Sequence, residues 1–316
     1  SVWTYERNSV WGDDVTLWKD CVKKSPKKAR IHYALGVALA SKGEIEKAMR
    51  HYYDALKIKP DYADAHNNLG AVLNERGELK EAMSHYSQAL RIKPDHADAL
   101  NNLGASLYKQ GNLKQAIIYY SQALQAKPDF AEAHNNLGVA LNRQGSIKEA
   151  MSHFYMALRS SSDYADAHYN LGNAMKREGR LNEAIGHYSE ALRIKPHFAE
   201  AHLNLGVVLV GQNRVKEAIS HYHEALRINP DYGTAHNNLG NALAGQGRVK
   251  EAIGHFSEVL RINPNDADAH YNLGNALASQ KRAKEAIGHY SEALRINPDD
   301  DEARRNMERV LGLMGK

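Results

Sequence analysis

Residues 63–96 read ADAHNNLGAVLNERGELKEAMSHYSQALRIKPDH, and the same skeleton returns in register every 34 residues from position 29 to position 300. Its glycine recurs as Gly36, Gly70, Gly104, Gly138, Gly172, Gly206, Gly240 and Gly274. An alanine keeps the same period (Ala48, Ala82, Ala116, Ala150, Ala184, Ala218, Ala252, Ala286). Four positions on comes an aromatic: Tyr52, Tyr86, Tyr120, Phe154, Tyr188, Tyr222, Phe256 and Tyr290. A proline closes seven of the eight units, and Ser162 takes its place in the fourth. Self-similarity at a fixed period of this length marks a repeat array.

Each unit reads as two helices. In residues 63–96, Ala65, Leu69, Val72 and Leu73 share one face at helical spacing. Arg76-Gly77-Glu78 makes a turn, and Leu79, Ala82, Met83, Tyr86, Ala89 and Leu90 stripe a second helix. Pro94 stops it, because proline breaks the hydrogen-bond ladder. Gly70, Ala82 and Ala89 allow close backbone approach, and Tyr86 fills the space beside them. One such pair cannot bury its apolar face, so stacking must build the core.

This skeleton resembles the tetratricopeptide repeat. The resemblance covers residues 29–300 as eight units: 29–62, 63–96, 97–130, 131–164, 165–198, 199–232, 233–266 and 267–300. It implies an all-α, right-handed α-solenoid superhelix with a half-repeat at each end. The family usually carries tryptophan at the fourth position. Here His32, His66, His134, His168, His202, His236 and His270 stand there, with Leu100 in the third unit. Asn213 and Lys281 replace the turn glycine and Val259 the second alanine, changes expected to loosen single turns and leave the fold intact.

Residues 1–28 form a head and capping half-repeat, in which Trp18 aligns with the aromatic, Cys21 with the second alanine and Pro26 with the closing proline. Residues 301–316 read as a capping helix, with Met307, Val310, Leu311 and Met314 inward and Arg304, Arg305, Glu308 and Arg309 in water. The head also resembles the junction of transmembrane tetratricopeptide proteins related to O-mannosyltransferases, through Arg7, Asn8, Trp11, Leu17, Trp18, Lys24, Ser25 and Pro26. That resemblance implies an extracytoplasmic, acceptor-binding domain of a membrane glycosyltransferase; without it a cytoplasmic setting is expected. The chain starts at Ser1 without methionine or signal peptide, and is expected to be a fragment or a processed form.

Composition narrows the function classes. The chain has 316 residues, 43% hydrophobic and 25% charged, in keeping with a folded protein. No apolar run approaches the length of a membrane helix. Lys plus Arg is 41 against 37 Asp plus Glu, a net charge of +4 with the signs interspersed, which disfavours nucleic-acid binding. One cysteine excludes an internal disulfide. No GxSxG, Walker loop or GxGxxG is present, so no enzyme is expected, and no cofactor.

By the family resemblance, the first helix of each unit lines a concave groove with its second, fifth, sixth, ninth and twelfth positions. The sixth is Asn68, Asn102, Asn136, Asn170, Asn204, Asn238 and Asn272 in seven consecutive units. Asn67, Asn101, Asn135 and Asn237 occupy the fifth position, with Tyr33, Tyr169 and Tyr271 between them, and Asn173, Asn241 and Asn275 occupy the ninth. An amide offers a donor and an acceptor, so such a ladder suits an extended peptide backbone whatever its side chains. Asparagine at this place can equally satisfy neighbouring groups of the fold. The ladder resembles that of the repeat domain of O-linked N-acetylglucosamine transferases. The chaperone-carboxylate clamp of another subclass is excluded, because the fifth position is never Lys and the sixth never Arg. The second position is acidic at Asp64, Asp98, Glu132, Asp166, Glu200 and Asp268, favouring basic or neutral peptides.

Of 17 histidines, seven hold the fourth position and seven the twenty-third: His51, His85, His153, His187, His221, His255 and His289. Copies in successive units stand about one layer of helices, on the order of 10 Å, apart, too far to share a metal. Packing is the expectation and a metal site is not, with a pH-sensitive spine as the lesser reading. The sequence therefore reads as a non-catalytic scaffold for an extended peptide, with a glycosyltransferase acceptor domain or self-association through terminal faces as alternatives.

Overall fold

The computed structural model describes residues 14–314. Among them eighteen helices follow one another without a strand. The chain forms two compact units, residues 1–162 and 163–316. In the first, α1 (Asp14–Lys24) precedes four pairs: α2 (Ala29–Ser41) with α3 (Ile45–Ile58), α4 (Ala63–Glu75) with α5 (Leu79–Ile92), α6 (Ala97–Lys109) with α7 (Leu113–Ala126), and α8 (Ala131–Gln144) with α9 (Ile147–Ser160). The second holds α10 (Ala165–Arg177) with α11 (Leu181–Ile194), α12 (Ala199–Gly211) with α13 (Val215–Ile228), α14 (Gly233–Gly245) with α15 (Val249–Ile262), α16 (Ala267–Ser279) with α17 (Ala283–Ile296), and α18 (Asp301–Met314).

The small-residue skeleton sets the spacing within a pair. Ala82 and Ala89 on α5 are fully buried and Tyr86 nearly so, while Ala65, Leu69, Gly70, Val72 and Leu73 bury the facing side of α4. A Cβ on Gly70 would lie 2.7 Å from a ring carbon of Tyr86 and 3.0 Å from the Ala82 carbonyl, so only glycine lets the ring lie flat across α4. The turn between the helices uses Gly77 at φ 82°, and Glu78 N–H returns to the Leu73 carbonyl at 2.9 Å, a closure of Schellman type. Asn213 and Lys281 hold φ 61° at the equivalent place, and Arg214 and Arg282 close the same bond at 2.9 and 3.0 Å. The turns therefore persist without glycine.

Within each unit every helix packs on its neighbours in the chain. First helices of successive pairs also touch: α4 with α6 and α6 with α8, then α10 with α12, α12 with α14 and α14 with α16. Among the described residues no comparable contact joins successive second helices. Within each unit the first-helix face is thus the tighter, inner one.

The end helices differ from the expectation in detail. On α1, Val15 is buried while Trp18 and Cys21 are half-buried. Arg7, Asn8 and Trp11 lie outside the described residues. On α18, Ala303 and Val310 are buried and Met307 half-buried. Leu311, expected inward, is 47% exposed: it sits one residue beyond the buried Val310, off the stripe that meets α17. The side chain of Met314 is outside the described residues.

Candidate functional site

The inner face of each unit carries the asparagines, and their amides are interlocked sideways. In residues 14–162, Asn68 donates Nδ2–H to the Tyr33 hydroxyl at 3.2 Å, Asn102 to Asn67 Oδ1 at 3.0 Å and Asn136 to Asn101 Oδ1 at 3.0 Å. In residues 163–316, Asn204 donates to the Tyr169 hydroxyl at 3.0 Å and to Asn173 Oδ1 at 3.1 Å, and Asn272 to Asn237 Oδ1 at 3.0 Å. In these five, each sixth-position amide bonds the fifth position of the pair before it; before Asn238 that place is Leu203, which offers no acceptor. Burial follows that division of labour. The sixth-position residues, Asn170 and Asn238 included, are half-exposed, whereas Asn67, Asn101 and Asn135 are buried and Asn237 is half-buried. The fifth-position side chains thus serve as the inner support of the row. Tyr33 does the same through its hydroxyl, whose pKa burial first, and then Asp64, push up to about 12.

The row extends further than the sequence reading had it. Asn306 on α18 donates to the Tyr271 hydroxyl at 3.2 Å and to Asn275 Oδ1 at 2.9 Å. The signal was legible, since Asn306 follows Asn272 by one period. Lys176 is a second addition: half-buried, it donates Nζ–H to Asn204 Oδ1 at 3.1 Å, and burial lowers its pKa. It occupies the twelfth position, one of those that face the groove.

The ninth-position residues divide by their partner. Asn173 and Asn275 accept the hydroxyls of the core residues Tyr188 and Tyr290 at 2.7 and 2.8 Å. Beneath Asn241 the core aromatic is Phe256, which has no hydroxyl, and Asn241 is exposed. There the inner face opens into a cavity of about 490 Å³, lined among others by Val207, Val210, Tyr222, Asn238 and Asn241. Val207 and Val210 are 38% and 41% exposed, so the opening joins two bare aliphatic side chains to two amides. That combination takes an apolar side chain while holding a backbone.

On the second-helix side the structure shows how the two histidine columns pack. The fourth- and twenty-third-position rings of one unit meet, Nδ1 to Nδ1. The pairs are His32–His51 (3.2 Å), His66–His85 (2.9 Å), and His134–His153, His168–His187, His202–His221, His236–His255 and His270–His289 (3.0 Å each). In six of them the other nitrogen, Nε2, faces a proline carbonyl of the preceding turn: Pro26, Pro60, Pro128, Pro196, Pro230 or Pro264, at 2.9–3.2 Å. A carbonyl only accepts, so Nε2 carries the hydrogen. Nδ1 is then the acceptor, and the partner ring donates its own Nδ1–H. Each of these six pairs ties two helices of a unit to the turn before it.

Comparison with known proteins places the fold. Residues 96–308 match the family model described as Cilia and flagella-associated protein 70 C-terminal domain. Residues 61–129 match Tetratricopeptide repeat and residues 38–75 TPR repeat. A search of curated proteins found no match. Among solved structures, YrrB, described as a TPR protein with an unusual peptide-binding site, is 26% identical with a TM-score of 0.54, over 60% of this chain and 97% of its own. The Cut9–Hcn1 hetero-tetramer of the APC/C is similar at 21% identity and a TM-score of 0.65, over 90% of this chain and 56% of its own. PilF of Pseudomonas aeruginosa matches at 21% and 0.62, over 67% of this chain and 97% of its own. These two show the fold alone. Tetratricopeptide-repeat families are typically non-catalytic scaffolds for protein interaction, and no described helix is long and apolar enough to cross a membrane. The repeat skeleton, the helix pairs built on it and the match over residues 96–308 agree: the chain belongs to the tetratricopeptide-repeat proteins, in the family described as the Cilia and flagella-associated protein 70 C-terminal domain.

Proposed function

We propose that the inner face of each unit binds extended peptide, with its sixth-position asparagines meeting the backbone and, in residues 163–316, the cavity at Val207, Val210 and Asn241 receiving one apolar side chain. The observation that carries this reading is that the asparagines are half-exposed in both units: Asn68, Asn102 and Asn136 in the first, and Asn170, Asn204, Asn238 and Asn272 in the second. In Asn102, Asn136 and Asn272 one amide hydrogen goes sideways to the supporting residue. That bond fixes the amide plane, and a second hydrogen and the Oδ1 remain to pair with a backbone C=O and N–H. A pre-oriented amide loses little freedom when the peptide arrives. The peptide-binding description of YrrB supports the same use of the fold. The acidic side chains Asp98, Asp166, Glu200 and Asp268 on this face are exposed and favour a peptide without acidic residues.

The test starts from a random-peptide display selection on the full chain. The best binder is titrated against wild type, against Asn102→Ala with Asn136→Ala and Asn272→Ala, and against Val210→Asp. A copy of the peptide N-methylated at alternate residues, which lacks half of the backbone donors, is titrated alongside. Backbone recognition predicts a loss of about 10-fold or more for the triple variant and for the methylated peptide. Unchanged affinity in both would sink the proposal, and unchanged affinity with Val210→Asp alone would remove the cavity from it.

A further inference from the structure

The first repeat differs from its copies where its two histidines meet. His32 Nδ1 and His51 Nδ1 are 3.2 Å apart, and Asp54 Oδ2 lies 3.8 Å from the first and 3.9 Å from the second. Among the described residues, this is the one group of three such ligand atoms within 4.8 Å of one another. We propose that His32, His51 and Asp54 bind a divalent transition metal of the zinc class.

The geometry is close to what such an ion needs. Zinc bonds of about 2.0–2.2 Å to imidazole and carboxylate put tetrahedral ligands about 3.3 Å apart. The two nitrogens already stand at that spacing, and a small rotation of the Asp54 side chain closes the rest. His32 is held as metal-bound imidazoles usually are, its Nε2–H donated to the Pro26 carbonyl at 2.9 Å, which leaves Nδ1 bare. His51 must turn its Nδ1 lone pair to the ion. Its proton leaves Nδ1 through solvent and Nε2 takes one up, so the ring stays neutral and the charge balances. The side chain of His32 is 9% exposed, that of His51 24% and that of Asp54 42%. The site is therefore walled on the protein side and open to water on the other, where a fourth ligand enters. Burial, and next the ring of His32, lower the pKa of His51 and favour the neutral form a metal requires.

The other pairs lack the third ligand. Asp54 holds the twenty-sixth position, where the next three units have Gln88, Gln122 and Met156. The last four have Glu190, Glu224, Glu258 and Glu292, each drawn away by an arginine (Arg193, Arg227, Arg261, Arg295) whose Nε donates at 2.6–2.9 Å. Two cations neighbour the first site. Lys57 Nζ is 3.8 Å from the other oxygen, Asp54 Oδ1, on a side chain 79% exposed and free to swing out, and the charge of Lys19 also reaches His51.

The experiment uses the full chain, freed of metal with a chelator, and titrates Zn²⁺ alone by calorimetry and Co²⁺ alone by visible absorption. Wild type, Asp54→Asn, His51→Gln and His85→Gln are compared after circular dichroism has shown each to be folded. The expected result is one equivalent bound more tightly than any other and a cobalt ligand-field band. Both disappear in Asp54→Asn and in His51→Gln, and both persist in His85→Gln, which breaks a pair without a carboxylate. No metal uptake by wild type, or a stoichiometry and spectrum unmoved by Asp54→Asn and His51→Gln, would overturn the site.

Discussion

Acidification from about pH 7.5 to about pH 5.5 should destabilise the array, because the paired histidines resist protons that the unfolded chain accepts. A free imidazole ionises near 6.5. In the fold, burial first and the partner ring second hold His187, His221, His255 and His289 below that value. The Nδ1–Nδ1 distance of 3.0 Å explains the partner's effect: one hydrogen fits between the rings and two do not. These are bases with depressed pKa values. Their stability contribution is complete above the unfolded pKa and is lost as pH falls from about 6.5 towards the folded values. A wholly excluded proton costs about 1.4 kcal/mol over this span. The second ring of each pair is half-exposed, and screening reduces that to about 0.5 kcal/mol. Residues 163–316 contain four pairs. Together they make about 2 kcal/mol, or a fall of roughly 4–8 °C in Tm for a unit of this size. The exposed Glu–Arg pairs do not confuse the window, because carboxylates such as Glu183 and Glu251 titrate below their ordinary 4.5. Thermal melts followed by far-ultraviolet circular dichroism at constant ionic strength give the measurement. His187→Gln with His221→Gln should shrink the shift by about half within that unit, since two of four proton-excluding pairs are gone. A wild-type Tm constant to within about 1 °C, or rising on acidification, would refute the reasoning.

Other substitutions probe the skeleton and the face. Gly206→Ala places a Cβ 2.5 Å from a ring carbon of the buried Tyr222. It should cost about 1–3 kcal/mol in urea denaturation. Gly254→Ala meets nothing within 4 Å inside α15. It should raise stability by about 0.5–1 kcal/mol in the same assay. Lys281→Gly relieves a lysine held at φ 61° and should shift the urea midpoint upward by up to about 1 kcal/mol, where a fall would show that the lysine side chain matters more than the turn. Tyr188→Phe removes the hydroxyl that Asn173 accepts at 2.7 Å and reproduces the Asn241–Phe256 arrangement. It should cost about 1 kcal/mol, read as a lower urea midpoint.

How the site was legible depends on whether one helix or two define it. The row of sixth-position asparagines was plain, because residues one period apart take equivalent places on equivalent helices. Asn306 obeyed the same rule and was missed only because its helix looked like a cap. The groove-facing positions also contained Lys176, Val207 and Val210, but nothing in their identity told which would stay half-buried and which would open into a cavity. That depended on how residues of α12, α13 and α14 come together, since all three helices line the opening.

Period, helix pairing, the small-residue contacts of Gly70 with Tyr86 and the all-α class were determined by the sequence alone. Each is a pattern within one element or an exact repetition of it, and helical spacing converts such a pattern directly into a face. Only the tertiary structure decided which faces meet. The meeting of His66 with His85, the sideways bond from Asn102 to Asn67 and the approach of Asp54 to His32 all join side chains on different helices. Their distances follow from how two backbones cross and which rotamers the crossing leaves open, and one-dimensional spacing does not contain that information.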